Sequence, residues 1–184
     1  MQKRLFITSF GLLALSPMLY AATSTDSRIA VVYFSKTGNT ASVAKAVQAM
    51  TGADLFRVET AAPYPDDYRT ATKVVKAEME NGTIRPLKPL AVDLSRYDTL
   101  ILATPTWWHH VAQPLQTWIR SADLTGKKIL TCNTNGGGGL MHTREDFEKL
   151  LPKQSLGTHL TVFGSVLPND ADVRQWLNEN NLLQ

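Results

Sequence analysis

The chain has 184 residues, 43% of them hydrophobic and 19% charged, with a formal net charge of +3. That length suits one domain with a sizeable core, and that balance excludes a disordered chain. It also excludes an electrostatic case for nucleic acid: Lys3 and Arg4 sit in a leader, and without them 17 basic residues face 16 acidic ones.

The leader comes first. Met1-Gln2-Lys3-Arg4 is a basic start, residues 5–19 are mostly apolar, and Ala21-Ala22 are small. This predicts a secretory signal peptide over residues 1–22, although Leu19 and Tyr20 are larger than usual beside a cleavage site. Thr8, Ser9, Gly11, Ser16 and Pro17 interrupt the apolar stretch, which is short for a membrane span; an uncleaved anchor is the competing reading. The mature domain, read as residues 28–184, is therefore expected in the bacterial periplasm.

The first strand is predicted at 29–34, a β-branched run of the buried parallel type. Ser35-Lys36-Thr37-Gly38-Asn39-Thr40 follows, and then a helix at 41–51 with Val43, Ala44, Val47 and Met50 in helical spacing. A loop between a strand end and a helix start offers free N–H groups and the positive end of the helix dipole to an anion. Ser35, Thr37, Asn39 and Thr40 add side-chain donors, Gly38 lets the backbone approach closely, and Lys36 adds charge. The stretch reads as a phosphate cradle. Its spacing is neither that of the dinucleotide fingerprint nor that of the nucleoside triphosphate loop.

A second strand is predicted at 54–58. Pro63-Tyr64-Pro65 breaks the chain, and a helix at 66–81 places Tyr68, Ala71, Val75 and Met79 on one face. An irregular connector at 83–90 leads to a third strand at 99–104. Pro105-Thr106-Trp107-Trp108-His109-His110 comes next, then a helix at 113–121. Two adjacent Trp residues past a strand end suit a stacking wall for a flat aromatic ring. His109 and His110 are candidates for proton delivery because imidazole titrates near neutral pH; the competing reading is a pair of solvated loop histidines. His142 and His159 form no metal-ligand spacing with them, so no metal is expected.

A fourth strand at 128–132 runs into Asn133-Thr134-Asn135-Gly136-Gly137-Gly138-Gly139, whose glycines allow backbone to approach a ligand edge. Thr143 with Asp146 three residues on resembles a capping box and opens a helix at 144–151. A fifth strand at 160–163 and a helix at 171–181 complete the pattern. Cys132 is the one cysteine, which excludes an intramolecular disulfide; it is read as a small core residue, the competing reading being a thiol close to the ligand beside the glycine loop. The alternation predicts an α/β fold with a parallel sheet and helices on both faces. All three special loops fall at carboxyl ends of strands, the ligand edge of such a sheet.

From about Arg28 to about Asn181 these loops resemble the flavodoxin-like family, in particular its short-chain branch with a Pro-x-Trp-Trp loop and a Thr/Asn-x-Gly-Gly loop. The resemblance implies a doubly wound five-stranded parallel sheet in the order 2-1-3-4-5, with FMN as cofactor. It implies that Ser35, Lys36, Thr37, Gly38, Asn39 and Thr40 surround the ribityl phosphate. Pro105, Thr106, Trp107 and Trp108 would flank the isoalloxazine, and Asn133, Thr134, Asn135, Gly136 and Gly137 would border its pyrimidine edge. Relatives often carry Ser in the last loop and a small residue near position 142; here the run is all Gly and position 142 is His. The function expected is an FMN-binding oxidoreductase that passes electrons to a quinone, a small oxidant or a redox protein. Its donor would be a protein or membrane-linked, because no soluble nicotinamide pool is expected outside the cytoplasm. A homodimer using Trp107 and Trp108 is a further expectation. Two readings compete: an electron carrier without its own substrate, which a net charge near +1 disfavours, and a flavin-free binding protein on the same scaffold.

Overall fold

The computed structural model describes residues 28–152 and 154–183; the expected signal peptide lies outside them. The elements are β1 (Ile29–Tyr33), α1 (Asn39–Thr51), β2 (Asp54–Arg57), α2 (Tyr68–Glu80), β3 (Thr99–Trp107), β4 (His110–Val111), α3 (Gln113–Ser121), β5 (Lys128–Asn135), α4 (Thr143–Leu150), β6 (Ser155–Phe163) and α5 (Ala171–Glu179). Five strands pair in parallel in the order β2-β1-β3-β5-β6, which is the expected 2-1-3-4-5 order counted over the parallel strands. A sixth, antiparallel strand, β4, pairs with the end of β3 and was not expected.

Strand alternation divides the core between the two faces of the sheet. Ala30, Val32, Leu100, Leu102 and Ile129 face Val75 of α2, Leu115 and Trp118 of α3, and Phe147 of α4. Val31, Ile101, Leu130 and Cys132 face Val43 and Val47 of α1 and Val173 and Trp176 of α5. Cys132 is fully buried, and burial pushes its thiol up to about 12, so it is an inert core residue. Among the described residues, no helix is long and apolar enough to cross a membrane.

The strands extend beyond their predicted ends. β3 continues to Trp107 and β5 to Asn135, because the polar residues there are buried and bonded: Thr104, Asn133 and Thr134 are at most 2% exposed. Such residues do not read as strand in a hydrophobic pattern. β6 begins at Ser155 instead of 160, its start disguised by Gly157. A Cβ on Gly157 would lie 2.5 Å from Asn180 Oδ1 and 3.2 Å from Leu130 Cγ, so this glycine lets the end of α5 pack close to the sheet. The capping box does not form: α4 starts after His142 with no side-chain cap, and Asp146 reaches back to the β3–β4 hairpin instead.

Candidate functional site

A cavity of about 630 Å³ opens at the carboxyl ends of β1, β3 and β5, within the usual size of small-molecule sites. One end is polar. The buried Ser35 hydroxyl accepts from the N–H groups of Gly38 and Ala41, both at 3.2 Å, and folds the loop into a cup. Gly38 caps α1 with φ +99°, a left-handed conformation that a side chain would strain. The N–H groups of Thr37, Asn39 and Thr40 then donate to nothing among the described residues. They lie at the positive end of α1, and Lys36, Thr37, Asn39 and Thr40 line the cavity. Lys36 Nζ donates to the Asp66 carbonyl at 3.2 Å, which holds the ammonium beside the mouth. The Thr40 and Thr134 hydroxyls bond at 2.8 Å and tie the cup to the end of β5.

The other end is aromatic. Trp107 turns inward, edge to face with Phe34 at 5.1 Å and Tyr64 at 4.9 Å. Trp108 stays at the rim, its Nε1–H donating to the Thr72 carbonyl at 3.1 Å and Lys76 Nζ lying 5.4 Å from its ring centre. Trp108 and His109 form a two-residue turn between the paired Trp107 and His110, with φ of 47° and 74°. Hairpins of this kind normally use Asn-Gly, so each residue here stores roughly 1 kcal/mol or more of strain. The surroundings hold the turn in place. The His109 carbonyl accepts from the His142 N–H, Asp146 accepts from the Val111 N–H, and Thr104 Oγ1 accepts from the Ala112 N–H.

The hairpin separates the two candidate histidines. His109 lines the cavity, but His110 faces away from it, with Nδ1 3.0 Å from Asp146 and its ring stacked on His142 at 5.3 Å. Of the two expected candidates, the turn therefore brings His109 to the cavity and leaves His110 outside it. Pro105, Thr106, Thr134, Asn135 and Gly136 line the cavity as placed from sequence. Ser35, Gly38, Asn133 and Gly137 do not; they build the loops behind it. Asn135 Oδ1 accepts from the N–H groups of Gly137 and Gly139, and so orders the glycine run against the mobility its composition suggests.

A third wall was missed. Tyr68, Ala71, Thr72 and Val75 of α2, preceded by Asp66, line the cavity, as do Gly138 and Met141. Three of these, Tyr68, Ala71 and Val75, share the helix face expected from the sequence, and the small Ala71 on it is the signal for close approach. Among the described residues, no group of three or more His, Cys, Asp or Glu is placed to hold a metal.

Behind the site, burial and the Arg144 charge push the His159 imidazole down to about 4. In the unfolded chain its ordinary value is 6.5, so the unfolded state binds more protons between these values and stability rises with pH there. The contribution is complete above about pH 6.5 and is lost as pH falls toward 4. Urea unfolding at pH 7 and pH 4.5 is expected to show roughly 2–3 kcal/mol of stability lost to this one group. His159→Gln should lack that share of the loss; an identical loss in both proteins would contradict the assignment.

A sequence model of the flavodoxin family matches residues 28–180. No curated protein matches the chain significantly. Among solved structures, a candidate flavoprotein from Bacteroides eggerthii is 27% identical, with a TM-score of 0.70, covering 83% of this chain and 96% of its own. One from Bacteroides uniformis is 26% identical at a TM-score of 0.72, covering 83% and 98%. A Lactobacillus acidophilus flavoprotein, solved in complex with FMN, is 15% identical at a TM-score of 0.67, covering 82% and 98%, and shares the fold.

Proposed function

The chain belongs to the flavodoxin family, and from that premise we propose that it is an FMN-binding oxidoreductase of an exported compartment. The observation that carries this reading is the division of the cavity. Free N–H groups of Thr37, Asn39 and Thr40 at a helix start occupy one end, and Trp107, Trp108 and Tyr68 line the rest. A ligand with a phosphate at one end and a flat apolar ring at the other fits that division. FMN is such a ligand, and when bound it supplies the redox chemistry. The fold-mate with bound FMN adds support. The cup would hold the phosphate, Trp108 would cover the ring, and Thr134 and Asn135 would border its polar edge. His109, at the mouth of the cavity, would hold a proton near the ring.

The rim favours a quinone as electron acceptor. Tyr68 is 77% exposed, and Trp108 and Met141 are about 40% exposed, so apolar surface stands at the mouth beside the ammonium groups of Lys36 and Lys76. In the test, FMN-loaded protein is reduced anaerobically with dithionite and mixed with a soluble benzoquinone in a stopped flow. Reoxidation that saturates with quinone supports the reading. A rate no different from free reduced FMN overturns the enzyme reading and favours the carrier. The basic, apolar leader supports export. Cell fractionation tests it, with recovery in the cytoplasm as the contrary result.

A further inference from the structure

Asn133 is fully buried at the end of β5 and touches both loops that frame the cavity. Its Nδ2 donates to Thr106 Oγ1 at 2.7 Å and to the Gly139 carbonyl at 3.0 Å. That leaves Oδ1 as the acceptor on the other side, where Thr161 Oγ1 lies at 2.9 Å and His159 Nε2 at 2.8 Å. An oxygen can only accept, so His159 must carry its proton on Nε2. Its Nδ1 is then a bare acceptor, and the Thr131 hydroxyl donates to it at 2.7 Å. The neutral tautomer satisfies all of these groups at once. A proton on Nδ1 would force the fully buried Thr131 hydroxyl to turn its hydrogen away from the only partner it shows.

Phe147 of α4 covers the ring at 6.0 Å. The charged groups facing His159 are Arg144 and Glu148, also on α4; Arg144 bonds Glu148 at 2.7 Å and the Gly157 carbonyl at 3.0 Å. Its hydrogen-bond partners, Thr131 and Asn133 of β5, are both uncharged. The guanidinium opposes a charged ring and so reinforces the neutral form.

We propose that His159 is a positioning residue of the cavity: as a neutral Nε2–H donor it fixes the orientation of the Asn133 amide, and through it Thr106 of the hairpin and the Gly139 carbonyl of the glycine loop. No atom of His159 lines the cavity, so the effect on a ligand is indirect. The amide of Asn133 has two distinct ends, and its orientation decides whether both loops meet donors or an acceptor. His159 fixes that choice from below. The inference deepens the FMN reading of the site and, for its binding arm, rests on it.

Two variants and two readouts test it. His159→Gln keeps an N–H donor near the Nε2 position without a titrating group, whereas His159→Phe removes the donor. FMN titrations at pH 7.5 are expected to give a Kd within about threefold of wild type for the Gln variant and about tenfold or more weaker for the Phe variant. Equal affinities for all three folded proteins overturn the inference. The second readout needs no flavin. In the ligand-free protein at pH 7.5, the amide resonances of Thr106 and Leu140 (the peptide after the Gly139 carbonyl) should stay near their wild-type positions in His159→Gln and shift in His159→Phe, which lacks the donor to Asn133. Resonances unchanged in the folded Phe variant, or displaced equally in both variants, overturn the inference. Wild-type protein that binds no FMN while these amides still separate the two variants overturns the FMN reading and leaves the positioning role standing.

Discussion

Asn133→Ala is expected to lower the unfolding free energy by about 4 kcal/mol and to weaken FMN binding by more than tenfold. The side chain has four partners: Thr106, Gly139, His159 and Thr161. Its removal leaves the His159 Nε2–H, the Thr161 hydroxyl and the Gly139 carbonyl without the atoms that satisfied them. Each polar group left unpaired in a buried site costs about 1–3 kcal/mol, and water recovers part of that at the more exposed positions. The binding loss follows from the loops. With Asn133 gone, the hairpin loses its bond at Thr106, and the glycine run keeps only the Asn135 bonds to Gly137 and Gly139. Urea unfolding and flavin fluorescence quenching measure the two effects separately. A stable variant with unchanged affinity would show that the polar network behind the cavity carries little.

The second large effect separates the two tryptophans. Trp107→Ala removes a ring packed against Phe34 and Tyr64 and is expected to cost about 3 kcal/mol of stability, below the upper range for a wholly buried Trp. Trp108→Ala loses one hydrogen bond and one cation contact at the rim, worth below about 1 kcal/mol in stability. Its effect falls on the ligand: loss of a stacking face should weaken FMN by roughly tenfold. Thermal unfolding and FMN titration of both variants form the check. The outcome that contradicts the placement is the reverse pattern, with Trp108→Ala unstable and Trp107→Ala unaffected in stability.

Much of this molecule is legible in its sequence, and the limits are physical. The apolar runs at 29–34, 99–104 and 128–132 announce strands because both faces of a parallel sheet are covered, and the three loops follow at their carboxyl ends. What hydrophobic pattern cannot show is where a strand continues as a bonded polar segment. Asn133, Thr134 and Asn135 look like loop but belong to β5, each held by specific partners. The same holds for the start of β6, where Gly157 reads as a break and serves a close packing contact.

The Trp-Trp-His-His stretch shows the other limit. Its aromatic character was readable, but its geometry was not, because a two-residue turn at Trp108 and His109 defies the residue preferences of such turns. The bonds from His142, Asp146 and Thr104 explain why it forms, and the first two come from distant parts of the chain. That one turn sends His109 to the cavity and His110 to the opposite side. Asp146 looked like the third residue of a capping box because the spacing is local. Its actual partners, His110 and Val111, lie 36 and 35 residues away in the chain.

The measurement that tests the central claim most directly is an FMN titration of the purified protein, followed by flavin absorption and tryptophan emission. Saturable one-to-one binding with a perturbed flavin spectrum and quenched emission is expected, with FMN held more tightly than riboflavin because the N–H cup at Thr37, Asn39 and Thr40 recognises a phosphate. A folded protein that binds neither FMN nor riboflavin would contradict the account. Equal affinity for the two would contradict the phosphate assignment of that cup.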